Sequence, residues 1–290
     1  TACDRSDPRA GYPNHGVLAY RTDVHPIEHL RYLARAQGAD SASLVREAAT
    51  ALGSLRADHA NLVIACRRIV ERHPAVGPLW WMCARLLTSD DPSTLAWAIV
   101  DEIEDDQASR RVAAAFDDAA TVLTIGWPEV AGAALMRRGD VDVLCADSRH
   151  EASAFMQRLE RFEVSCEPVP TESLARAADR ADVAVVEAVA AGPHRVIAPV
   201  GSHVVAAVAR SVGTPVWLAV GAGTLLPSEY VDAIGRLVID EANSWNLDVD
   251  DLPLELVSHV VGAEGLSDDV AGALRPDCPF APELLRFSPF

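Results

Sequence analysis

The sequence contains no lysine: all 25 basic residues are arginine, in a chain of 290 residues whose formal net charge is −17. This absence excludes chemistry that needs a lysine Schiff base, and it excludes the lysine-dependent phosphate loop of nucleotide-hydrolysing enzymes. Clusters of positive charge, which bind the phosphates of nucleic acids, are also missing. We therefore expect no nucleic-acid partner.

Long apolar runs are absent too. Half of the residues are hydrophobic, yet no apolar stretch approaches the roughly 20 residues that span a bilayer. The first residues show no charged segment followed by an apolar one, which is the pattern of a secretory signal. The sequence thus predicts a soluble, cytoplasmic protein without a membrane-bound segment.

Closely spaced cysteines are the third absence. The chain has six cysteines, and no two of them form a Cys-x-x-Cys pair. Structural zinc sites need such spacing in at least one half of the ligand set, so we expect no metal site. The stretch GAGTLLP, residues 221–227, holds the first two glycines of a dinucleotide-binding fingerprint but has Leu226 at the third position. No cofactor is therefore expected.

The period of the apolar residues changes along the chain. Up to about residue 115 they recur every three or four residues, as in SASLVREAATALGSL, which is the helical period. From about residue 120, short β-branched runs alternate with helical segments, and we predict strands at 121–126, 141–147, 163–169, 183–189, 195–200 and 215–221. Apolar strands separated by helices indicate a parallel sheet covered on both faces.

The predicted fold class is therefore α/β, with an N-terminal helical domain at residues 1–115 and a Rossmann-like domain at residues 116–290. In such sheets ligands bind outside the carboxyl ends of the strands. The loops after Gly126, Asp147, Val189 and Gly221 are expected to converge there.

Five segments occur in an order that resembles a known family. They are RHPAVGPLWWM, VLTIGWPEVAGAAL, VLCADSRHEASAFMQRL, ADVAVVEAVAAGPHRVIAPVGSHVVAAVAR and WNLDVDDLPLELVSHVVGAEG. The order is similar to that in the alpha, beta and delta subunits of translation initiation factor 2B, whose enzymic relatives isomerise methylthioribose-1-phosphate and ribose-1,5-bisphosphate. The resemblance covers roughly residues 40–275. It implies the same fold and assembly through the C-terminal domain, hence a homodimer or a heteromer, of which we expect the homodimer.

The chain departs from that family where the chemistry resides. The family's catalytic cysteine falls on Gly126, and its catalytic aspartate falls on Ala188 or Val189. None of these side chains can transfer a proton. An asparagine and lysine that could meet the ligand are replaced by Ala198 and Pro199. The resemblance therefore implies the fold without the isomerase chemistry.

Other family positions persist and predict a cradle for one phosphate. Arg149 keeps the arginine of an E-T-R-P segment, and Gly201 with Ser202 keeps the small residues before a helix. Backbone N–H groups at a helix start, a hydroxyl and an arginine together suit an anion. The alternative is that Gly201 and Ser202 only make a turn and a cap. Candidate ligand contacts also include Gly126, Trp127, which could instead close the core, and Arg72 beside His73.

Three residues are candidates for replacement catalysis. Glu187 lies at a strand end near the lost aspartate, where it is either a relocated acid or base or an exposed strand-end charge. Asp147 follows the second strand, and His194 can titrate near neutrality or lie incidentally in a loop, as can His203. Cys145 is interpreted as a buried structural thiol.

Two functions of different classes remain open at this level. The first is a binding protein that holds a phosphorylated small molecule, such as a sugar phosphate or nucleotide, or a protein partner, without isomerase chemistry. The second is a retooled isomerase or related enzyme of sugar phosphates that uses Glu187, Asp147 or His194. The arginine-only, alanine-rich composition is typical of a bacterial protein from a GC-rich genome.

Overall fold

The computed structural model describes residues 40–53, 59–239 and 245–286. The first part of the described chain is helical and contains α1 (Ser41–Gly53), α2 (His59–Arg72), α3 (Gly77–Leu87), α4 (Pro92–Glu104) and α5 (Ala108–Ala115). Asp91 begins α4, because its carboxylate accepts a hydrogen bond from the Thr94 N–H and Pro92 takes the first helical position. The helical period of the sequence is therefore confirmed for this region.

The helices α1–α4 share an apolar core with later parts of the chain. Trp80 of α3 is fully buried in that core, and its ring centroid lies 5.6 Å from that of Tyr230. The Tyr230 hydroxyl donates to the Ala281 carbonyl at 3.0 Å and accepts from the Ala281 N–H at 2.6 Å. Tyr230 thus links the helical region to the C-terminal segment.

Strands and helices alternate from residue 121 onward. The strands are β1 (Thr121–Ile125), β2 (Asp142–Ala146), β3 (Ser165–Val169), β4 (Val183–Glu187), β5 (Ala190–Gly192), β6 (Arg195–Pro199), β7 (Val216–Ala219), β8 (Val249–Leu252), β9 (His259–Gly262) and β10 (Gly265–Ser267). The helices are α6 (Val130–Arg138), α7 (Ala152–Glu160), α8 (Leu174–Arg180), α9 (Ser202–Val212), α10 (Ser228–Val238) and α11 (Val270–Ala273).

The main sheet is built from the predicted parallel strands. Within the described residues it has seven strands in the order β10-β9-β7-β4-β1-β2-β3, and β10 alone among them runs antiparallel to its neighbour. The central strands are apolar on both faces: Val122 and Leu123 of β1 are completely buried, in two different core clusters. The α/β fold class, with a helical region before a mostly parallel sheet, is confirmed.

One predicted strand of the parallel sheet was wrong in its placement. Residues 195–200 do not join that sheet, because β6 pairs antiparallel with both β5 and β8 in a separate three-stranded sheet. The loop expected after Val189 is instead the start of a hairpin, with Pro193 and His194 between β5 and β6. A two-residue connection can join only antiparallel strands.

Helix α5 packs with the sheet. Its Val112 and the following Phe116 belong to the same buried cluster as Val122 and Trp217. The core that contains α1–α4 also includes β5, β6 and α10 residues, such as Ala190, so that packing crosses the division expected at residue 115. The assignment of residues 1–115 and 116–290 to two domains stays a prediction.

Candidate functional site

The carboxyl ends of β1 and β4 form the topological switch point of the main sheet. Strands β2 and β3 are added on one side of β1, whereas β4, β7 and β9 are added on the other. Ligands of open α/β sheets bind at such a point. We call the loops 126–129 and 147–151, the turn 200–201 and the end of β4 the crevice.

Two of the four loops predicted to converge, those after Gly126 and Asp147, meet in the crevice, together with the turn 200–201. The Ser148 hydroxyl donates to the Val200 carbonyl at 2.7 Å. Gly201 has a positive φ of 92°, and a Cβ added there would lie 2.4 Å from Cδ1 of Ile125. A Cβ added at Gly126 would lie 3.3 Å from that of Ser148. The structure thus brings together Gly126, Gly201 and the loop after β2.

Glu187 closes the amino end of α6. Its carboxylate accepts hydrogen bonds from the backbone N–H groups of Glu129 at 3.1 Å, Val130 at 2.9 Å and Ala131 at 3.1 Å. These are the donors that a helix start offers to a bound phosphate in folds of this architecture. In this chain they are already satisfied by a carboxylate from β4.

The surroundings of Glu187 shift its protonation. Burial, and next the charge of Glu129, raise the pKa of Glu187 to about 7, although the N–H groups of residues 129–131 oppose the shift. Burial also raises the pKa of Glu129, whose carboxylate accepts from the Ser41 N–H at 3.2 Å. At the start of α6, ionisation of one of these two neighbouring carboxyl groups therefore makes ionisation of the other less favourable.

Arg149 lies in the crevice and is paired with other residues of the chain. It and His150 both have positive φ angles, 53° and 65°, an uncommon conformation for residues other than glycine. The Arg149 Nε donates to Asp248 at 2.8 Å, and its Nη1 donates to the Asn246 amide oxygen at 2.8 Å. The guanidinium expected to face a phosphate thus faces a carboxylate.

Asp250 occupies the second predicted anion position. Its Oδ2 accepts from the backbone N–H of Gly201 at 2.7 Å and from that of His203 at 3.2 Å, at the start of α9. Ser202 is fully buried, and its hydroxyl has no hydrogen-bond partner within the described part of the chain. Gly201 therefore makes a left-handed turn, and its backbone N–H donates to an aspartate.

Asp147 accepts a backbone hydrogen bond at the start of α7. Its Oδ1 accepts from the Ala152 N–H at 3.2 Å, and its Oδ2 lies 3.5 Å from Nδ1 of His150. Burial, and then the charge of Asp248, raise the pKa of Glu151 in the same loop. The carboxylates of the crevice thus repel additional negative charge, and they do so around the predicted phosphate position.

Trp127 borders the crevice beside α7. Its side chain is 37% exposed, its ring centroid lies 6.0 Å from that of Phe155, and the Arg158 guanidinium carbon lies 5.6 Å from its ring centroid. The exposed part of the indole faces a groove that Phe162 also lines. Trp127 therefore both packs on the core and offers an aromatic surface.

Other candidates lie elsewhere or are inert. His194 is exposed in the turn between β5 and β6, and Arg72 ends α2 in the helical region. Cys145 is buried, and a hydrogen bond with Cys166, followed by burial, raises its thiol pKa far above the ordinary value. A thiol held neutral in this way is a poor nucleophile. The structure does not bring His194 to the crevice.

Sequence reasoning missed the residues that occupy the crevice. Asp248 and Asp250 lie within WNLDVDDLP, whose pattern does not indicate that they reach Arg149 and Gly201. Arg149 and Asp248 are 99 positions apart in sequence. Among the residues that the structure describes, no group of three or more metal-binding side chains is found. Across the same ranges, none of the helices is long and apolar enough to traverse a bilayer.

The described fold is similar to that of solved initiation-factor structures. Translation initiation factor eIF-2B from Pyrococcus horikoshii OT3 matches 84% of this chain and 97% of its own, with a TM-score of 0.69 and 15% sequence identity. The tetrameric eIF2B-beta2-delta2 complex from C. thermophilum matches 85% and 92%, with a TM-score of 0.68 and 17% identity. The structure of eIF2B beta from Chaetomium thermophilum matches 86% of this chain and 90% of its own, with a TM-score of 0.65 and 14% identity.

No family model and no curated protein sequence matches the chain. The resemblance inferred from the order of sequence segments is confirmed at the level of the fold.

Proposed function

We propose that this protein is a non-catalytic, eIF2B-like scaffold that acts by binding a protein partner, including a second copy of itself. Its crevice, in this proposal, neither holds nor rearranges a sugar phosphate. The observation that carries the proposal is Glu187, whose carboxylate takes three N–H groups at the start of α6. An incoming phosphate would have to displace this buried group.

The other crevice contacts support the same conclusion. Asp248 is paired with Arg149, and Asp250 accepts from Gly201. A phosphate at Arg149 or at the Gly201 N–H would therefore lie next to a carboxylate, and contact between like charges costs free energy. The family's catalytic cysteine and aspartate are replaced by Gly126 and by Ala188 or Val189, so the crevice also lacks the proton-transfer groups that the resemblance implies.

The comparison with an assembled relative supports the partner. One of the similar structures is a tetrameric complex of beta and delta subunits. In this chain α9 exposes two valines on one face: Val204 is 51% exposed and Val212 is 39% exposed. Residues eight positions apart are about 80° apart around a helix and fall within one apolar stripe. This face of the C-terminal region is suited to self-association.

A ligand screen tests the crevice. Purified protein is expected to show no rise in melting temperature with inorganic phosphate, methylthioribose-1-phosphate, ribose-1,5-bisphosphate or nucleotides, and no turnover of the two sugar phosphates. The Asp248→Ala variant, which removes the carboxylate paired with Arg149, is the matched comparison for a crevice that accepts anions.

Two outcomes would support the other interpretations of the sequence. A sugar phosphate that stabilises the wild type but not Arg149→Ala would indicate a phosphorylated ligand. Turnover that is lost in Glu187→Gln would indicate the retooled isomerase. Either result would overturn the proposal, because the proposal assigns neither a phosphorylated ligand nor a reaction to the crevice.

Self-association is tested at α9. We expect the wild type to be a homodimer and Val204→Asp to weaken dimerisation by at least about tenfold, because a buried unpaired carboxylate costs more than about 1.4 kcal/mol. Sedimentation velocity over a concentration series measures the change. The control is Ile64→Asp on α2, where the original side chain is 46% exposed.

A monomeric wild type would contradict the dimer prediction. Dissociation by Ile64→Asp but not by Val204→Asp would place the interface in the helical region instead.

A further inference from the structure

A groove of about 460 Å³ runs along the exposed side of α7. It is lined by Trp127, Ala154, Gln157, Arg158, Arg161 and Phe162. Each of these residues is exposed, so a ligand that enters the groove reaches all of them without a rearrangement of the core. We call this surface the α7 groove.

Two aromatic side chains are open to solvent in the α7 groove. Trp127 is 37% exposed and Phe162 is 54% exposed. Adjacent apolar surface of this kind marks places where proteins bind partners, and aromatic residues contribute much of the binding free energy at such places. The two rings therefore provide a contact surface for an apolar side chain.

The charge of the α7 groove is opposite to that of the whole chain. Among the described residues two arginines and no carboxylate line it, although the net charge is −17. Arg138 and Arg195 each contact two aspartates elsewhere in the protein, whereas Arg158 and Arg161 form no ion pair with another described residue. Guanidinium groups without a carboxylate partner, next to an apolar surface, favour an acidic ligand.

The length of the α7 groove suits a peptide. Ala154, Gln157, Arg158 and Arg161 lie on one side of α7, because they are spaced at three, four and seven positions, and Arg161 keeps helical φ and ψ angles of −65° and −21°. At about 1.5 Å per residue this side extends for about 10 Å. An extended peptide covers that length with about three residues. A short segment can therefore place an apolar side chain on the rings and a carboxylate near each arginine.

The α7 groove and α9 lie on opposite faces of the main sheet. Phe155 of α7 belongs to the buried cluster that contains Val122 of β1, whereas Val205 of α9 belongs to the cluster that contains Leu123. Neighbouring residues of a strand point to opposite faces of its sheet. A second copy bound at Val204 of α9 would therefore leave the α7 groove open to another protein.

We propose that the α7 groove docks an acidic segment of another protein. An apolar side chain of the segment packs on the two aromatic rings, and flanking carboxylates pair with Arg158 and Arg161. The Arg158 guanidinium carbon lies 5.6 Å from the Trp127 ring centroid, so the apolar side chain and one carboxylate must be neighbours in the segment. This inference rests on the proposed function, because it names the chemistry of the scaffold's partner.

Isothermal titration with matched peptides tests the proposal. The probe acetyl-Glu-Asp-Phe-Glu-Asp amide is expected to bind, and its affinity should decrease as salt is added. Acetyl-Gln-Asn-Phe-Gln-Asn amide lacks the charges and acetyl-Glu-Asp-Ser-Glu-Asp amide lacks the ring. Each should bind at least about tenfold more weakly than the probe, because each removes one of the two contacts.

Paired variants localise the binding. Arg158→Gln is expected to weaken binding of the probe at least about threefold, because it removes an ion pair at the groove. Arg176→Gln makes the same change at an exposed position of α8 and should leave the affinity unchanged. Phe162→Ala should also weaken binding, whereas Trp97→Ala, at a side chain that is 52% exposed on α4, should not.

Four results would each overturn the proposal. The first three are equal affinity for the charged and uncharged peptides, equal effects of Arg158→Gln and Arg176→Gln, and no binding of the probe at millimolar concentration. The fourth is a change of oligomeric state in Phe162→Ala, measured by sedimentation velocity, since it would show that a second copy covers the groove.

The Val204→Asp variant separates this inference from the dimer prediction. It should bind the probe as the wild type does, because α9 lies on the other face of the sheet. An intact homodimer that does not bind the probe would overturn this inference alone. A monomeric wild type that binds the probe would contradict the dimer and support the groove.

Discussion

Glutamine in place of Glu187 is expected to leave the protein close to wild-type stability near about pH 5 and to make it more stable than the wild type near about pH 8. In the folded protein the carboxyl has a pKa of about 7 in place of an ordinary value of 4.5, chiefly because it is buried. Glutamine is the uncharged isostere of the protonated acid. It therefore resembles the form that the folded state prefers at low pH.

The sign of the effect follows from proton linkage. Because the folded state binds this proton more tightly than the unfolded chain does, the free energy of unfolding decreases as pH rises from 4.5 to about 7. A pKa difference of this size corresponds to about 3 kcal/mol. Glu187→Gln removes that dependence, so its advantage over the wild type should grow across the interval and stay constant above it.

Urea denaturation at a series of pH values measures this difference. Other shifted groups, such as Asp277 with a pKa raised to about 6, remain in both proteins. The difference between the two curves therefore isolates Glu187 and its effect on the neighbouring Glu129. Glu172→Gln, at an exposed position, serves as the control and should run parallel to the wild type. If the curves of Glu187→Gln and the wild type are parallel, ionisation of the Glu187 carboxyl does not lower the free energy of unfolding.

Most of the main sheet could be predicted from the sequence, because its strands are buried on both faces. Continuous β-branched runs such as Val183–Glu187 place a strand to within two residues and also indicate a parallel neighbour. The same composition misled at Arg195–Pro199, whose buried residues also read as a central strand. The short separation in sequence from the preceding strand indicates the correct antiparallel pairing, because a parallel connection needs a dozen or more residues.

The crevice was predictable in part. The rule that loops converge at the carboxyl ends of parallel strands predicted that the loops after Gly126 and Asp147 meet, and the approach of Gly126 to Ser148 agrees with it. Gly201 was placed with Arg149 by the resemblance alone. The hydrogen-bond partners of Arg149 and Gly201 could not be predicted, because Asp248 and Asp250 belong to a distant segment with no periodic pattern. Glu187 was a candidate acid or base at a strand end, but its partners are backbone N–H groups, which every residue except proline carries and no sequence motif marks.

The largest loss of stability is expected for Trp80→Ala. Trp80 is 0% exposed in the core that α1–α4 share with α10, and its indole N–H donates to the Pro74 carbonyl at 3.1 Å. Replacing a buried tryptophan with alanine removes its apolar contacts and leaves a cavity, which costs about 3–5 kcal/mol. The ring also contacts Tyr230, so the loss weakens the packing of the helical region on the C-terminal region.

Trp97→Ala is the matched control, because the same side chain on α4 is 52% exposed. It should lower the free energy of unfolding by less than about 1 kcal/mol. Urea unfolding followed by far-ultraviolet circular dichroism measures both variants without relying on tryptophan emission. A single transition for Trp80→Ala, shifted to lower urea with an unchanged slope, indicates that the helices and the sheet unfold together. Two separate transitions already present in the wild type would show instead that the helical region unfolds as an independent unit, and that the contact between Trp80 and Tyr230 does not couple them.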